Sequence, residues 1–347
     1  MILRRDFPLN CRPSKPEPEM KLSLSTADAM KRLKDNRTSG STAPESGENR
    51  TGGKTDTAGT VIELDAQQLK ALQDLLSGML AEISEICERE GILFFLGGGS
   101  ALGAYRDGRI IPWDDDVDII MPRADYERFA EVFPGALGDR YVLHAPGRTK
   151  NYGLLFPRIR RKGTTVRTRE DFANPDPGAF IDVCILENTY DLAPLRILHG
   201  IGCMAWGFLV SCRKFYRDRE ELSALAANAG DPGFAGAVRK KIALGRLISG
   251  VDIDSMTIAG DRWNKRCRSA NSRYVAVPTG RQYFFGELYP RSTFYPARPC
   301  TFEGRKQYLP ADAESYLKNL YGDYNSIPES GEREKHLFFA PFDLGES

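Results

Sequence analysis

The chain has 347 residues, enough for one large or two modest domains with a hydrophobic core. Its 48 Lys and Arg residues balance 47 Asp and Glu residues, so the net charge predicts no nucleic-acid partner. The seven cysteines are scattered and odd in number, which favours reduced thiols in a cytoplasmic protein over a disulfide framework or a zinc site.

Residues 1–60 are predicted to be disordered. Residues 15–60 are rich in Pro, Ser, Thr, Gly, Asn and charge, and they bury too little apolar area to offset the entropy of ordering. Residues 1–9 lack an apolar stretch long enough for a signal peptide. Further on, Asp65 and Gln68 match a capping pair for a helix with an apolar stripe at helical spacing. The stripe comprises Leu69, Leu72, Leu76, Met79, Leu80, Ile83 and Ile86.

A glycine-serine turn follows this helix. Residues 92–96 form an apolar run that predicts a strand ending at Gly97, and residues 101–105 can start a helix. Backbone amides at such a strand-to-helix turn are suited to binding a phosphate, because no side chains obstruct them. The candidate phosphate ligands are Gly98, Gly99 and Ser100.

An acidic strand comes next. Asp116 and Asp118 alternate with apolar residues, so both point to one face of the predicted strand. Two neighbouring carboxylates repel each other, and divalent cations between their oxygens would relieve that repulsion. A phosphate cradle beside a carboxylate pair is typical of phosphoryl or nucleotidyl transfer.

Rival interpretations of this stretch fail on spacing. A calcium loop needs Gly where Ile119 stands. The spacing of Gly97, Gly99 and Gly103 is one residue too long for the dinucleotide fingerprint, and no Lys-Ser or Lys-Thr pair completes a P-loop. A solvated acidic turn is disfavoured because Asp118 lies inside an apolar strand.

A third element lies at residues 179–186, an apolar run that predicts a buried strand with a single charge, Asp182. An unpaired carboxylate there would be costly, so a nearby cation explains it. Two partners remain open for Asp182, a metal ion and an arginine. As a metal ligand, Asp182 could also accept a proton from an attacking hydroxyl.

Together these motifs resemble the LicD family of phosphotransferases, which includes the fukutin-related proteins. The resemblance is carried by LGGGSALGAYR at residues 96–106, IPWDDDVDIIMPRADYERF at 111–129, FIDVCIL at 180–186 and YLKNLYGDYNSIP at 316–328. The four motifs occur in the family's order.

The resemblance implies an α/β fold of the polymerase-β-like nucleotidyltransferase type, with a mixed sheet flanked by helices and a helical or irregular C-terminal region. It also implies transfer of a phospho-alcohol, phosphocholine or a polyol phosphate, from CDP-choline or a CDP-polyol to a hydroxyl of a cell-surface glycan, which can be lipid-linked. Two alternatives stay open: a nucleotidyltransferase that moves an NMP to a small molecule or sugar, and a non-catalytic nucleotide- or glycan-binding protein.

Residue roles follow from this resemblance. Asp116, Asp118 and Asp182 are the expected ligands of two Mg²⁺ or Mn²⁺ ions, and Asp182 is the candidate base. Asp114 is expected to support the loop or an outer metal-bound water. The histidines at 144, 199 and 336 are too far apart in sequence to indicate a metal cluster, so oxygen ligands are expected.

Basic residues supply further candidates. Arg158 and Arg160 share one face of a predicted strand and could bind the diphosphate or the leaving CMP, whereas a solvated basic edge remains the alternative for their neighbours. Arg106 closes the turn motif and could reach a phosphate or pair with Asp107.

The expected organisation is a disordered segment at 1–60, a catalytic core at 61–190, and an insertion helix or lid with an acceptor-side region at 191–347. Residues 195–212 are apolar but interrupted, shorter than the roughly 20 residues of a membrane span, and four basic residues follow by 219. Burial as a lid is the first expectation for this segment. Peripheral contact through 195–219 with the inner face of a membrane is the second.

Overall fold

The computed structural model describes residues 60–229, 231–329, 333 and 335–345. The predicted disorder of residues 1–60 falls almost entirely outside these residues and stays a prediction. The six cysteines within the described residues are free thiols.

The described residues form nine α-helices and one short 3₁₀ helix, Arg291–Thr293. The α-helices are α1 (Ala66–Glu90), α2 (Gly98–Arg106), α3 (Arg123–Ala136), α4 (Ala193–Arg217), α5 (Arg219–Asn228), α6 (Pro232–Leu247), α7 (Ile253–Asn264), α8 (Tyr283–Gly286) and α9 (Ala313–Tyr321). The strands are β1 (Val61–Ile62), β2 (Phe95–Leu96), β3 (Asp118–Pro122), β4 (Tyr141–His144), β5 (Arg158–Arg161), β6 (Thr165–Thr168), β7 (Phe180–Thr189), β8 (Tyr274–Ala276), β9 (Leu288–Pro290), β10 (Arg298–Phe302), β11 (Arg305–Leu309) and β12 (Phe338–Asp343).

A seven-stranded mixed sheet forms the centre of the fold. Its main order is β2-β3-β7-β5-β4, and β8 and β9 extend from the second half of β7. Only the β3–β7 pair among these strands is parallel. A small sheet, β1-β12-β6, and the β10–β11 hairpin complete the strand pairing of the described residues. The predicted α/β class, with a mixed sheet flanked by helices, is confirmed.

The register of the central sheet sets the positions of three charged residues. Asp182 of β7 lies opposite Asp118 of β3 on one side and opposite Arg158 of β5 on the other. Residues paired across a ladder project from the same face of the sheet. Because β7 has a neighbour on each side, all three side chains meet at the middle of the sheet.

Helix α1 is built as its sequence predicts. Asp65 and Gln68 form a capping box at its start, and Gly91 ends it in the left-handed conformation, with φ of 63°. The predicted stripe, apart from the half-buried Leu69, lies in the core, where Met79 and Ile83 are fully buried. Helix α3 buries Tyr126, Phe129 and Phe133.

Helix α2 begins earlier than predicted. It starts at Gly98 rather than near residue 101, because the Gly97 carbonyl already accepts a hydrogen bond from the amide of Ala101. Helix α7 begins at Ile253, where Asp252 caps it by accepting from the Ser255 amide. Apolar periodicity places a helix more reliably than it places the first residue of that helix.

Helices α4, α6 and α7 pack together through glycines. A Cβ at Gly202 of α4 would collide with the ring of Trp263 in α7. A Cβ at Gly245 of α6 would collide with the backbone of Cys212 in α4. These close approaches hold the middle of α4 against both neighbours.

Replacing Ile83 with Ala tests the core role of α1. We expect Ile83→Ala to lower the free energy of unfolding by about 2–5 kcal/mol, because it leaves a cavity in a fully buried site. Gln67→Ala, at an exposed position of the same helix, should change it by less than about 0.5 kcal/mol. Urea denaturation with an unchanged m-value measures both, and equal effects would contradict the assignment.

Candidate active site

A cavity of about 560 Å³ opens beside the glycine turn and the acidic loop. Its walls come from the turn at residues 97–99, the acidic segment at 113–118, and the late segment at 321–324. Residues 168–170, 280–287 and 333–337 contribute further wall positions. The cavity therefore joins motifs that lie more than two hundred residues apart in the chain.

The glycines of the turn are required by the carboxylates packed against them. Gly98 has a positive φ of 44°, and a Cβ there would lie 2.7 Å from an Asp118 carboxylate oxygen. A Cβ at Gly99 would collide with a carboxylate oxygen of Asp114. The Gly98 amide donates to the hydroxyl of Tyr316, 3.0 Å away, so it already has a partner. As the start of α2, the turn also presents first-turn amides that have no partner within the helix.

Ser100 has a structural contact in addition to its predicted role. It is buried, and its hydroxyl accepts a hydrogen bond from the Asp118 amide at 3.0 Å. The side-chain amide of Gln73 on α1 donates to the Asp114 carbonyl at 2.8 Å. The turn and α1 thereby fix the acidic segment from two sides.

The acidic segment concentrates like charges at the cavity wall. Burial, together with the neighbouring carboxylates, raises the pKa of Asp114 and of Asp118 well above the usual range. Burial raises the pKa of Asp116 to about 6, against the opposing charge of His336. The carboxylates are thus buried close together, and the charge of His336 offsets their mutual repulsion only in part.

Asp182 is brought beside Asp118, as the sequence analysis anticipated, but it also has an arginine partner. Arg158 binds both carboxylate oxygens of Asp182, with Nη2 to Oδ2 at 2.7 Å. Arg158 is 2% exposed and Asp182 is 9% exposed, so this is a buried, bidentate ion pair. Of the two partners left open for Asp182, the structure shows the arginine, whereas the role of metal ligand stays a prediction. Asp182 itself lies beside Asp118 but is not among the residues that line the cavity.

The arginines proposed as phosphate ligands lie behind the site rather than in the cavity wall. Arg160 is buried, binds the carboxylate of Asp171 and donates to the Gly178 carbonyl at 2.6 Å. Arg158 is equally buried and is bound to Asp182. Neither residue lines the cavity, and both have carboxylate partners.

Arg106 does line the cavity. It pairs with Asp107 at 2.9 Å and lies 6.0 Å from the ring of Trp113. The structure thus shows the predicted pairing with Asp107, and the contact of Arg106 with a phosphate stays a prediction.

His336 lies beside the acidic segment, although the spacing of the histidines in the sequence did not indicate a histidine at a metal site. Its Nδ1 lies 2.8 Å from Asp115 Oδ1 and 3.7 Å from Asp116 Oδ2. Ligand atoms of Asp115, Asp116 and His336 all lie within 4.8 Å of one another, a spacing that could hold a metal ion. Burial lowers the pKa of His336, but Asp115 and Asp116 outweigh that effect and raise it to about 10. Because 221 residues separate His336 from Asp115, no local pattern could have revealed the contact.

Cations and aromatic rings share the cavity with the carboxylates. Trp113 lies on the wall, with the Arg333 guanidinium 4.2 Å from its ring centre. Arg281 lies 5.2 Å from the ring centre of Tyr321, another wall residue. Arg169 and Lys335 also line the cavity. The site therefore combines carboxylates with basic and aromatic side chains.

Removing Arg158 tests its role as the partner of Asp182. We expect Arg158→Met to lower the free energy of unfolding by about 3–5 kcal/mol, because it leaves a buried carboxylate unpaired. Arg161→Met, at the half-buried neighbouring position, should cost much less. Chemical denaturation measures both variants. The double variant Arg158→Met/Asp182→Leu should recover part of the loss, and no recovery would argue against the pair.

Comparison with known proteins finds matches for the part of the chain that contains the glycine turn and the acidic segment. Residues 91–166 match the family model described as LicD/FKTN/FKRP, nucleotidyltransferase domain. Over 72 residues the chain is 42% identical to lipopolysaccharide cholinephosphotransferase LicD of Haemophilus influenzae. That alignment covers 21% of this chain and 25% of the relative, so the chain matches about a quarter of the relative's length. The predicted resemblance is confirmed for this segment.

Proposed function

From the premise that residues 91–166 carry a LicD-family nucleotidyltransferase domain, we propose that the chain is a metal-dependent phosphotransferase. It moves a phospho-alcohol group from a CDP-linked donor to a hydroxyl of a cell-surface glycan. The observation that carries the proposal is the convergence of Asp114, Asp116 and Asp118 on a glycine turn, in one cavity with several cations. The name of the Haemophilus relative favours phosphocholine as the group and a lipopolysaccharide-like glycan as the acceptor.

The carboxylate cluster fits Mg²⁺ or Mn²⁺. Carboxylate oxygens are the ligands these ions prefer, and burial together with the neighbouring carboxylates disfavours the charged forms of Asp114 and Asp118 when no cation is bound. Asp116 and Asp118 would hold the ions, with Asp182 as the third ligand and Asp114 beside them. Each carboxylate oxygen accepts about two hydrogen bonds, so the Arg158 contact leaves acceptor sites on Asp182. When bound, the ions would neutralise charge on the diphosphate and polarise the phosphorus that is attacked.

The basic side chains on the cavity walls are suited to binding the diphosphate of the donor. The diphosphate of a CDP-alcohol is an anion that the carboxylates alone would repel, and Arg169, Arg333 and Lys335 supply positive charge on the cavity walls. The first-turn amides of α2 add backbone donors. Trp113, with Arg333 over its ring, offers a flat surface for the cytosine base.

The transfer step moves one proton and one phosphoryl bond. The acceptor hydroxyl oxygen forms a bond to the phosphorus that carries the alcohol, while the bond from that phosphorus to the CMP oxygen breaks. Asp182 takes the hydroxyl proton, and CMP leaves with the electron pair of the broken bond. The cationic His336 beside Asp116 keeps that carboxylate ionised and oriented.

Replacing the carboxylates tests this mechanism. Asp116→Asn or Asp118→Asn should reduce CMP release from a panel of CDP-alcohols, with Mg²⁺ or Mn²⁺, by at least about 100-fold, since they remove direct ligands. The melting temperature should stay unchanged or rise, because each change removes repulsion. Asp139→Asn, at an exposed position outside the cavity, is the matched control.

Two outcomes would contradict the proposal. Full activity in either cavity variant would remove the metal-carboxylate mechanism. Release of pyrophosphate from CTP, without CMP release from any CDP-alcohol, would indicate the nucleotidyltransferase alternative.

Neutralising Arg333 tests the donor side. We expect Arg333→Met to raise KM for the CDP-alcohol about tenfold, the equivalent of one charge-assisted hydrogen bond, with little change in kcat. Arg305→Met, an exposed arginine paired with Glu85, should leave both constants unchanged. Steady-state kinetics at saturating acceptor measures them. A fall in kcat at constant KM would place Arg333 outside the donor site.

A further inference from the structure

Helix α4 presents an apolar face to solvent. Leu198, Ile201 and Phe208 are 57%, 54% and 50% exposed, and their spacing puts them on one side of the helix. No Asp, Glu, Lys or Arg occurs in residues 197–212. None of the residues of α4 lines the cavity, so this face does not serve as a wall of the active site.

The opposite face of α4 is fixed to the domain by buried polar contacts. Lys214 is buried and binds Glu170 at 2.9 Å, and Asp218 follows at 3.3 Å. His199 lies 3.0 Å from the hydroxyl of Thr189. By length and composition α4 could cross a membrane, but these contacts require it to lie along the protein surface. An apolar helix held in this way suits the plane of an interface.

The exposed apolar surface extends beyond α4. A Cβ at Gly200 would collide with the ring of Phe285, so the 47% exposed Phe285 of α8 lies directly beside α4. At the other end, Arg213 donates to the carbonyl of Val251, which follows α6 and the 81% exposed Leu247. We call this surface the apolar platform: Leu198, Ile201, Phe208, Leu209, Leu247 and Phe285.

The charges next to the apolar platform are mainly basic. Residues 232–251, which include α6, contain four Lys and Arg residues and no Asp or Glu. Arg239, Lys240 and Arg246 on α6 are exposed. The acidic residues at the two ends of the surface are engaged, because Asp191 pairs with Arg273 and Asp252 caps α7. An apolar strip beside uncompensated cations complements the acyl chains and headgroups of anionic lipids.

We propose that the apolar platform docks the protein on the surface of an anionic lipid bilayer, with α4 lying in the interface. The exposed side chains enter the headgroup and acyl boundary, and the cations of α6 contact lipid phosphates. The cavity wall residue Arg281 lies two residues before Tyr283, the first residue of α8, so docking brings this part of the cavity wall close to the membrane surface. An acceptor carried on a lipid would then lie within reach. Docking does not depend on the proposed transferase activity.

Vesicle flotation of the full chain tests the proposal. The protein should float with vesicles of equal parts phosphatidylcholine and phosphatidylglycerol, and less with phosphatidylcholine alone or at high salt. The double variant Leu198→Glu/Phe208→Glu should bind at least about tenfold more weakly, since two apolar anchors are lost. Ile327→Glu, at a 64% exposed apolar position outside the apolar platform, is the matched control and should bind as wild type.

Three results would overturn the proposal. The first is that the wild type does not bind anionic vesicles, and the second is that the double variant binds them as well as the wild type does. The third is that light scattering shows a dimer of the wild type without lipid and a monomer of the double variant. The last would mean that a second copy covers this face. Circular dichroism melting checks that the double variant is folded. If it is not, the single variant Phe208→Ser replaces it, with the same expected direction and the same contradicting outcomes.

Discussion

The register that sets Asp182 between Asp118 and Arg158 constrains the rest of the site. It places two carboxylates side by side in the middle of a sheet, where two unit charges about 5 Å apart interact by about 3 kcal/mol at an effective dielectric constant of 20. Arg158 compensates one of them from β5. The excess negative charge remains on the cavity side, at Asp114, Asp116 and Asp118. The buried ion pair of Asp182 and Arg158, which stabilises the fold, thus lies next to a carboxylate cluster that is suited to binding cations.

The glycine turn is the second half of the same constraint. Carboxylates can approach the start of α2 only because Gly98 and Gly99 have no side chains. Tyr316 holds the Gly98 amide, and Ser100 holds the Asp118 amide, so the turn and the acidic strand are joined by hydrogen bonds. The turn and the acidic strand, which are close in sequence, are therefore also in contact in the structure.

Local patterns predicted the parts of this arrangement that depend on neighbours in sequence. The capping box at Asp65 and the buried face of α1 follow from spacing, and the lone charge in an apolar strand identified Asp182. Contacts across the sheet could not be derived in this way. Arg158 was expected at a phosphate because it shares one strand face with Arg160, but pairing with β7 places it against the buried carboxylate of Asp182. His336 reaches Asp115 from a distant segment, for which the sequence gives no signal.

The cavity draws its residues from two parts of the chain. The glycine turn and the acidic segment lie within residues 91–166, the part that matches the LicD/FKTN/FKRP nucleotidyltransferase model. Arg281, Tyr321 and Arg333 line the same cavity from outside that segment, and so does His336 beside Asp115 and Asp116. The matched segment therefore supplies only part of the cavity wall, and the later part of the chain completes the shape and the charge of the site.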